Sequence, residues 1–434
     1  MKLMLRGGEV VDPWQDRVTR ADVLLEDDRV AAVGEKLPAR GARVLDVSGQ
    51  LILPGLIDMH VHLREPGYEY KEDIASGTAA AVRGGFTAVA CMPNTNPVAD
   101  NLTVLELIKA RAQEAGLARV YPVAAITRGS RGKELVEMAE LAAGGAVAFS
   151  DDGQPVRSAA VMRRALQYAG MLGRPIIAHC EDIDLAAGGA MHEGYVSTRL
   201  GLKGIPAAAE EVMVARDIIL CELTGCPLHI AHVSTAGSVR LIREAKQRGL
   251  PVTAEAAPHH FALTHTAVEG YDTSTKVNPP LRAEEDVEAV RQGLADGTID
   301  AIATDHAPHA RHEKEVEYDL APFGMIGLET ALALIWTELV QPGWLTIPQA
   351  VAKMSAAPAR ILNIPICNWQ PGCPADITVF DPAARWVVDP DSFASKSRNT
   401  PFAGRQLQGR AVITIVGGRI VYSAAEDCTG STGR

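Results

Sequence analysis

Short apolar runs recur through the middle of the chain, and each ends in a polar cluster. The first is Leu51-Ile52-Leu53-Pro54-Gly55-Leu56-Ile57, which leads into Asp58-Met59-His60-Val61-His62-Leu63-Arg64-Glu65-Pro66. An apolar run beside Pro and Gly reads as a strand buried on both faces. Residues 86–92 end in Pro93-Asn94, residues 120–126 in Thr127, and residues 146–149 in Ser150-Asp151-Asp152-Gly153. Residues 175–178 end in His179-Cys180-Glu181-Asp182, and residues 227–231 in His232-Val233-Ser234. Residues 251–255 precede Ala256-Ala257-Pro258-His259-His260, and residues 299–303 precede Thr304-Asp305-His306-Ala307-Pro308-His309. Helical stretches rich in Ala, Glu and Leu separate the runs. Strand–helix units repeated eight times predict an α/β protein built on a (β/α)8 TIM-like barrel. An open doubly wound sheet is the alternative, but no Gly-rich phosphate turn follows the first strand.

The two ends of the chain follow another pattern. Residues 9–13, 21–26 and 29–34 are strand-like, with Asp27-Asp28 as a turn. Residues 375–381, 411–416 and 419–422 repeat the pattern, with Gly417-Gly418 between the last two. Both termini are therefore expected to build one small β-sandwich domain, 1–53 plus 366–434, beside a barrel of 54–365. From about Ala424 the residues are small and polar and are expected to fray.

With 434 residues, 47% of them hydrophobic, the chain can bury a large core. A net charge of −11 without a Lys- or Arg-rich run argues against a nucleic-acid partner. An anionic substrate would need a local positive cluster, because the global field opposes it. No signal-peptide pattern opens the chain, and no apolar run reaches the roughly 18 residues of a membrane span. The seven cysteines form no CxxC pair and read as reduced thiols. Together these features predict a cytoplasmic protein without a membrane partner.

In a strand, alternate side chains share a face, so His60, His62 and Arg64 are expected to point the same way. One strand-end histidine is usually just a hydrogen-bonded polar residue. His-x-His closing a buried strand, followed by Arg, favours a metal. Other strand ends add Asp151 or Asp152, His179, His232 and Asp305. These groups would converge at the C-terminal mouth, where barrel enzymes place their chemistry. They suit one or two Zn²⁺ ions, two being favoured, with a position left for water. Asp151 also suits a plain helix N-cap. His229 and His192 read as satisfied or surface residues, and His259, His260 and His306 as groups that orient the ligands. The charged stretch 310–324 is either a lid over the mouth or a solvated loop.

These stretches together resemble the amidohydrolase superfamily and, within it, the type I dihydroorotases of bacteria. The resemblance rests on residues 58–67, Met92-Pro93-Asn94-Thr95-Asn96-Pro97, Phe149-Ser150-Asp151-Asp152-Gly153, Ala178-His179-Cys180-Glu181, Ile230-Ala231-His232-Val233-Ser234, Val277-Asn278-Pro279-Pro280-Leu281-Arg282 and residues 303–309. It implies that His60, His62 and Asp305 hold one zinc ion, that His179 and His232 hold a second, and that Asp152 bridges them. It makes Asp305 the proton carrier. It places Arg64, Asn94 and His309, with His62, on the substrate, and Asn278, Phe323 and Gly324 around its ring. The implied reaction is the reversible closure of N-carbamoyl-L-aspartate to L-dihydroorotate in pyrimidine biosynthesis. A homo-oligomer and a complex with aspartate transcarbamoylase are the implied assemblies. Hydantoinases and allantoinases have a similar layout but bridge with a carboxylated lysine on strand four, and residues 145–153 contain no lysine. A non-catalytic subunit of aspartate transcarbamoylase would be expected to lack some ligands, and none is missing here.

Overall fold

A computed structural model describes residues 2–425. Eight parallel strands form the central sheet in chain order. They are numbered here β1 (Leu56–Val61), β2 (Phe86–Cys91), β3 (Arg119–Ala124), β4 (Ala148–Phe149), β5 (Ile176–Ala178), β6 (Leu228–Ile230), β7 (Val252–Ala256) and β8 (Ala301–Ile302). Closure comes just past the strand ends. Val61 pairs with His306, and the His62 N–H donates to His306 O at 2.9 Å. The (β/α)8 barrel expected from the repeated pattern is therefore what the chain forms. Ile57, Met59, Ala88, Ala90, Val123, Ala148, Ile177, Ala231 and Ala301 pack in one cluster contributed by strands around the ring. Small side chains dominate it, as a filled barrel interior requires.

Local sequence sets the helix ends. Asp73 caps Ile74–Arg83 by accepting from the Ser76 N–H at 2.7 Å. Asn101, Ser158 and Thr235 start Leu102–Ala115, Ala159–Met171 and Ala236–Gln247 in the same way.

Strands from both ends of the chain share a six-stranded sheet. Its order is Arg419–Ser423, Gln406–Val416, Ile377–Val387, Leu51–Pro54, Glu9–Asp12, Arg17–Arg20. A second sheet holds Arg29–Gly34, Asp22–Glu26, Lys2–Arg6 and Arg43–Asp46. Leu3, Leu5, Val23 and Leu25 of one sheet bury against Ile52, Ile377, Val379 and Ile415 of the other. The tail expected to fray lies, from residue 426 on, outside the described residues.

The structure corrects one expectation about the opening run. Leu51–Ile57 is not one strand. Leu51–Pro54 pairs with Ile377–Val387 in the terminal sheet, and β1 starts at Leu56. Gly55 makes the crossing. A Cβ there would lie 2.2 Å from Thr87 Oγ1 and 3.0 Å from Asp376 O. Unbroken apolarity cannot reveal this, because both sheets bury the strands they receive.

Candidate active site

The C-terminal ends of the barrel strands open into a cavity of about 230 Å³. His62, Arg64, Asn94, Asp152, His179 and His232 line it, and so do Asn278, Asp305, His309, Phe323 and Gly324. His60 lies fully buried beneath them. The residues expected as metal ligands or substrate contacts are thus brought to one place, Asp151 apart. The size suits a single small molecule.

Asp152 is the centre of the floor. Its Oδ1 lies 3.3 Å from His60 Nε2 and 3.6 Å from both His179 Nδ1 and His232 Nε2. Its Oδ2 lies 3.5 Å from His62 Nε2. Asp151 has another job. Its carboxylate accepts from the Ile126 and Thr127 N–H groups at 2.9 and 3.0 Å and tethers the loop after β3. Asp305 Oδ1 completes the floor, 3.1 Å from His62 Nε2 and 3.7 Å from His60 Nε2.

The tautomers can be read from the partners. His60 Nδ1 faces Glu255 Oε1 at 2.6 Å, so it carries the proton. His62 Nδ1 donates to Asn94 Oδ1 at 2.8 Å. Each Nε2 therefore turns toward carboxylate oxygens and needs positive charge between them. Burial disfavours charge on His60 and His179, but Asp152 with Glu255 raises the first well above its usual pKa. Asp152 and Glu181 push His179 up to about 10. Burial likewise opposes ionisation of Asp152, yet His60, His179 and His232 hold its carboxyl well below the usual range. The site gathers protons in the absence of another cation, and a divalent ion would displace them. His60 Nε2, Asp152 Oδ1, His179 Nε2 and His232 Nδ1 are buried without hydrogen-bond partners. Orphaned polar atoms of this kind are costly unless a ligand meets them. His60, Asp152 and His232 place donor atoms within 4.8 Å of one another, as do His60, His62 and Asp305. Such nitrogen and oxygen donors fit Zn²⁺.

The wall of the cavity is built differently. Arg64 does not follow β1's alternation, because β1 ends at Val61 and Arg64 takes φ +63°. His232 and Asp305, also at strand ends, have φ +34° and +48°. Left-handed backbone at non-glycine residues costs about 1–3 kcal/mol each and concentrates at functional sites. Arg64 Nε donates to Pro308 O at 3.1 Å. Among the described residues Arg64 has no ion-pair partner, and Glu65 pairs with Arg111 at 3.1 Å instead. An unpaired guanidinium in a cavity wall is a receptor for an anion. His309 is neutral: burial and the cations Arg64, Lys314 and Lys71 push it down to about 2. Its Nε2–H donates to Phe323 O at 2.9 Å.

Comparison with known proteins agrees with this geometry. Residues 49–238 match the family described as Dihydro-orotase-like. The dihydroorotase of Pelotomaculum thermopropionicum is 66% identical over 97% of this chain and 98% of its own. The chain belongs to the dihydroorotase family. The dihydroorotase of Syntrophus aciditrophicus is 57% identical over 97% of this chain and 99% of its own. Among solved structures, the L-hydantoinase (dihydropyrimidinase) of Arthrobacter aurescens superposes with a TM-score of 0.86 at 26% identity, covering 97% of this chain and 96% of its own. The dihydropyrimidinase of Brevibacillus agri superposes at 0.84 and 25% identity, covering 98% and 95%.

Within this dihydroorotase-family site, several supporting residues escaped the sequence reading. The side chains of His259, His260 and His306 make no hydrogen bond to the floor histidines, and only the His306 carbonyl reaches one, at the His62 N–H. His260 Nε2 donates to Pro279 O at 2.9 Å, His306 Nε2 faces Glu72 at 3.4 Å, and His259 Nε2 is buried without a partner. Orientation comes from Glu255, Asn94 and Asp58. Asp58 accepts from the N–H groups of His60 at 3.1 Å and Thr304 at 3.2 Å, which ties β1 to β8. The signal for Glu255 was a single acid inside an apolar strand. His229 is a satisfied core residue, bonded to Thr253 and Glu255. The stretch 310–324 is largely exposed but anchored at several points. Lys314 Nζ donates to Thr273 O and Pro322 O, and Lys276 Nζ to Asp319 O, with Tyr318 buried beneath.

Proposed function

We propose that this chain is a zinc-dependent dihydroorotase of the bacterial type I class, interconverting N-carbamoyl-L-aspartate and L-dihydroorotate in pyrimidine biosynthesis. One observation carries the reading: Asp152 sits among four imidazoles, with the unpaired Arg64 in the wall of the same cavity. His60, His62 and Asp305 would hold one ion, His179 and His232 a second, and Asp152 would bridge them. Zinc there would supply Lewis acidity, easing deprotonation of water and polarising the ring amide carbonyl.

The chain's own groups do the rest. In hydrolysis Asp305 takes the proton of the attacking water and hands it to the departing ring nitrogen. In cyclisation it takes the proton from the carbamoyl nitrogen and returns it to the leaving oxygen. Its carboxyl is held in the ionised form, because the neighbouring His62, His60 and His232 keep its pKa low against the opposing effect of burial. Arg64 binds the α-carboxylate, with Asn94 and His309 beside it. Asn278 and the backbone at Phe323 and Gly324 face the ring. Asn278 is itself held by donating to Glu181 at 3.1 Å.

A homo-oligomer is supported by Val212, Ile219 and Leu223, exposed at helical spacing on Ala208–Thr224. The complex with aspartate transcarbamoylase and the cytoplasmic location rest on the family resemblance. Among the described residues no helix is long and apolar enough to cross a membrane.

The test is loss of L-dihydroorotate, followed by ultraviolet absorbance, with metal content measured on the same sample. Turnover that vanishes on chelation, returns with Zn²⁺ and is absent in Asp305→Ala is the expected result. A fully metallated protein that ignores dihydroorotate but hydrolyses hydantoin or allantoin would overturn the substrate.

A further inference from the structure

The backbone around the wall is held by a residue from the far end of the chain. Residues 392–400 cross from the terminal sheet to the barrel mouth and are pinned on the way. Glu329 accepts from the Ala394 and Ser395 N–H groups at 2.9 and 3.2 Å. Glu72 accepts from the Lys396 N–H at 3.1 Å, and the Ser395 hydroxyl donates to Glu72. Ser397 Oγ donates to Lys71 O at 2.8 Å. The strap thereby presents Asn399, which is 5% exposed.

Asn399 uses its whole amide on the cavity wall. Its Oδ1 accepts from the His309 N–H at 3.2 Å. Its Nδ2 donates to Ala307 O and to Gly324 O, both at 3.1 Å. The amide can face only one way, since two carbonyls flank one end and an N–H the other. Its own carbonyl accepts from the Ile326 N–H at 3.0 Å. Ala307, His309 and Gly324 all line the cavity, and they come from two separate segments. Among the described residues no strand pairing joins those segments at His309 or Gly324, and the direct link there is the His309 side chain on Phe323 O. The nearest ladder contact is the single bridge between His306 and Met325.

We infer that Asn399 is a positioning residue for substrate binding: it locks the His309 and Gly324 segments together so that the shape of the cavity wall is set before the substrate arrives. This rests on the reading of the cavity as a dihydroorotate site. Its effect falls on binding. Asn399 bonds no floor carboxylate or imidazole, and its contact nearest the floor is Ala307 O, two residues past Asp305, so chemistry and metal uptake should persist without it. Placement errors of a fraction of an ångström are enough to weaken several hydrogen bonds at once.

The test compares Asn399→Ala, Asn399→Asp and Thr400→Ala with wild type in steady-state hydrolysis of L-dihydroorotate, with zinc content and Tm on each. Asn399→Asp keeps the acceptor for His309 and turns a second oxygen against two carbonyls. Thr400 lies buried in the same strap, and its hydroxyl accepts from the Phe402 N–H. Expected is a KM about tenfold higher in both Asn399 variants, with kcat within about threefold and zinc unchanged. Thr400→Ala should shift Tm alone. Wild-type turnover with an unchanged KM in the Asn399 variants would overturn the inference, and so would equal KM rises in all three. An inactive wild type would instead overturn the substrate reading. Hydrogen exchange on wild type covers the case where the variants do not fold. The 305–312 backbone should exchange slowly without substrate, and fast exchange that slows only on adding dihydroorotate would refute a preformed wall.

Discussion

The floor and the wall of one cavity are built by different means. The floor groups, His60, His62, Asp152, His179, His232 and Asp305, leave the barrel directly at strand ends. Their spacing follows from barrel geometry, and Asp58 on β1 and Glu255 on β7 beneath them belong to the same barrel. The wall groups, Arg64, His309 and Gly324, sit on connections whose shape is set by distant partners: Pro308, Asn399, Lys276 and Lys314. On the proposed function the difference divides the labour: rigid strands would hold the groups that handle charge and protons, and tethered loops the groups that choose the substrate.

Substitutions on the two sides should therefore fail in different ways. The largest effect is expected from Asp152→Ala, with turnover down by about a thousandfold or more and zinc lost. Metal analysis beside kinetics checks it, and a fully metallated, active variant would break the division. Arg64→Ala should raise KM for dihydroorotate by about a hundredfold while kcat moves less and zinc stays. Equal losses in kcat and zinc would place Arg64 with the floor. Glu255→Gln keeps the shape but weakens the hold on His60. Zinc affinity, measured by competition with a chelator, should fall about tenfold, and no change would show that His60 orients itself.

The smallest effect concerns the wall's tethers. Burial, with help from Lys276, pushes Lys314 down to about 7 from the 10.5 of a free lysine. Between those values the unfolded chain binds the extra proton, so folded stability rises with pH across the window. Wild type should gain about 2 °C in Tm on Lys314→Met between pH 7 and pH 10. A flat difference would mean that the ammonium is solvated and the tether loose.

The floor was legible because two regularities reinforce each other. Buried strands announce themselves as apolar runs, and a barrel sends the first polar residue after each run to the same mouth. His179 and His232 needed no contact information to be found. The wall resisted the same reading. Arg64 reaches the cavity through a left-handed turn that strand alternation does not describe. Asn399 lies 90 residues from His309, in a strap that reads as an unremarkable surface stretch. Choosing between Asp151 and Asp152 from the residues alone was equally out of reach. Both close the same strand, and only the partners waiting at Ile126 and Thr127 separate them.

What the sequence determined by itself is the order of elements, the barrel and the list of groups at its mouth. Each depends on local periodicity and on where polarity interrupts it. Tertiary structure alone decided where Leu51–Ile57 divides between two sheets, which aspartate enters the floor, and which distant side chains hold the wall. Those outcomes depend on pairing between segments far apart in the chain. A hydrogen-bond partner is chosen by geometry after folding, and nothing in the local pattern of either segment records it.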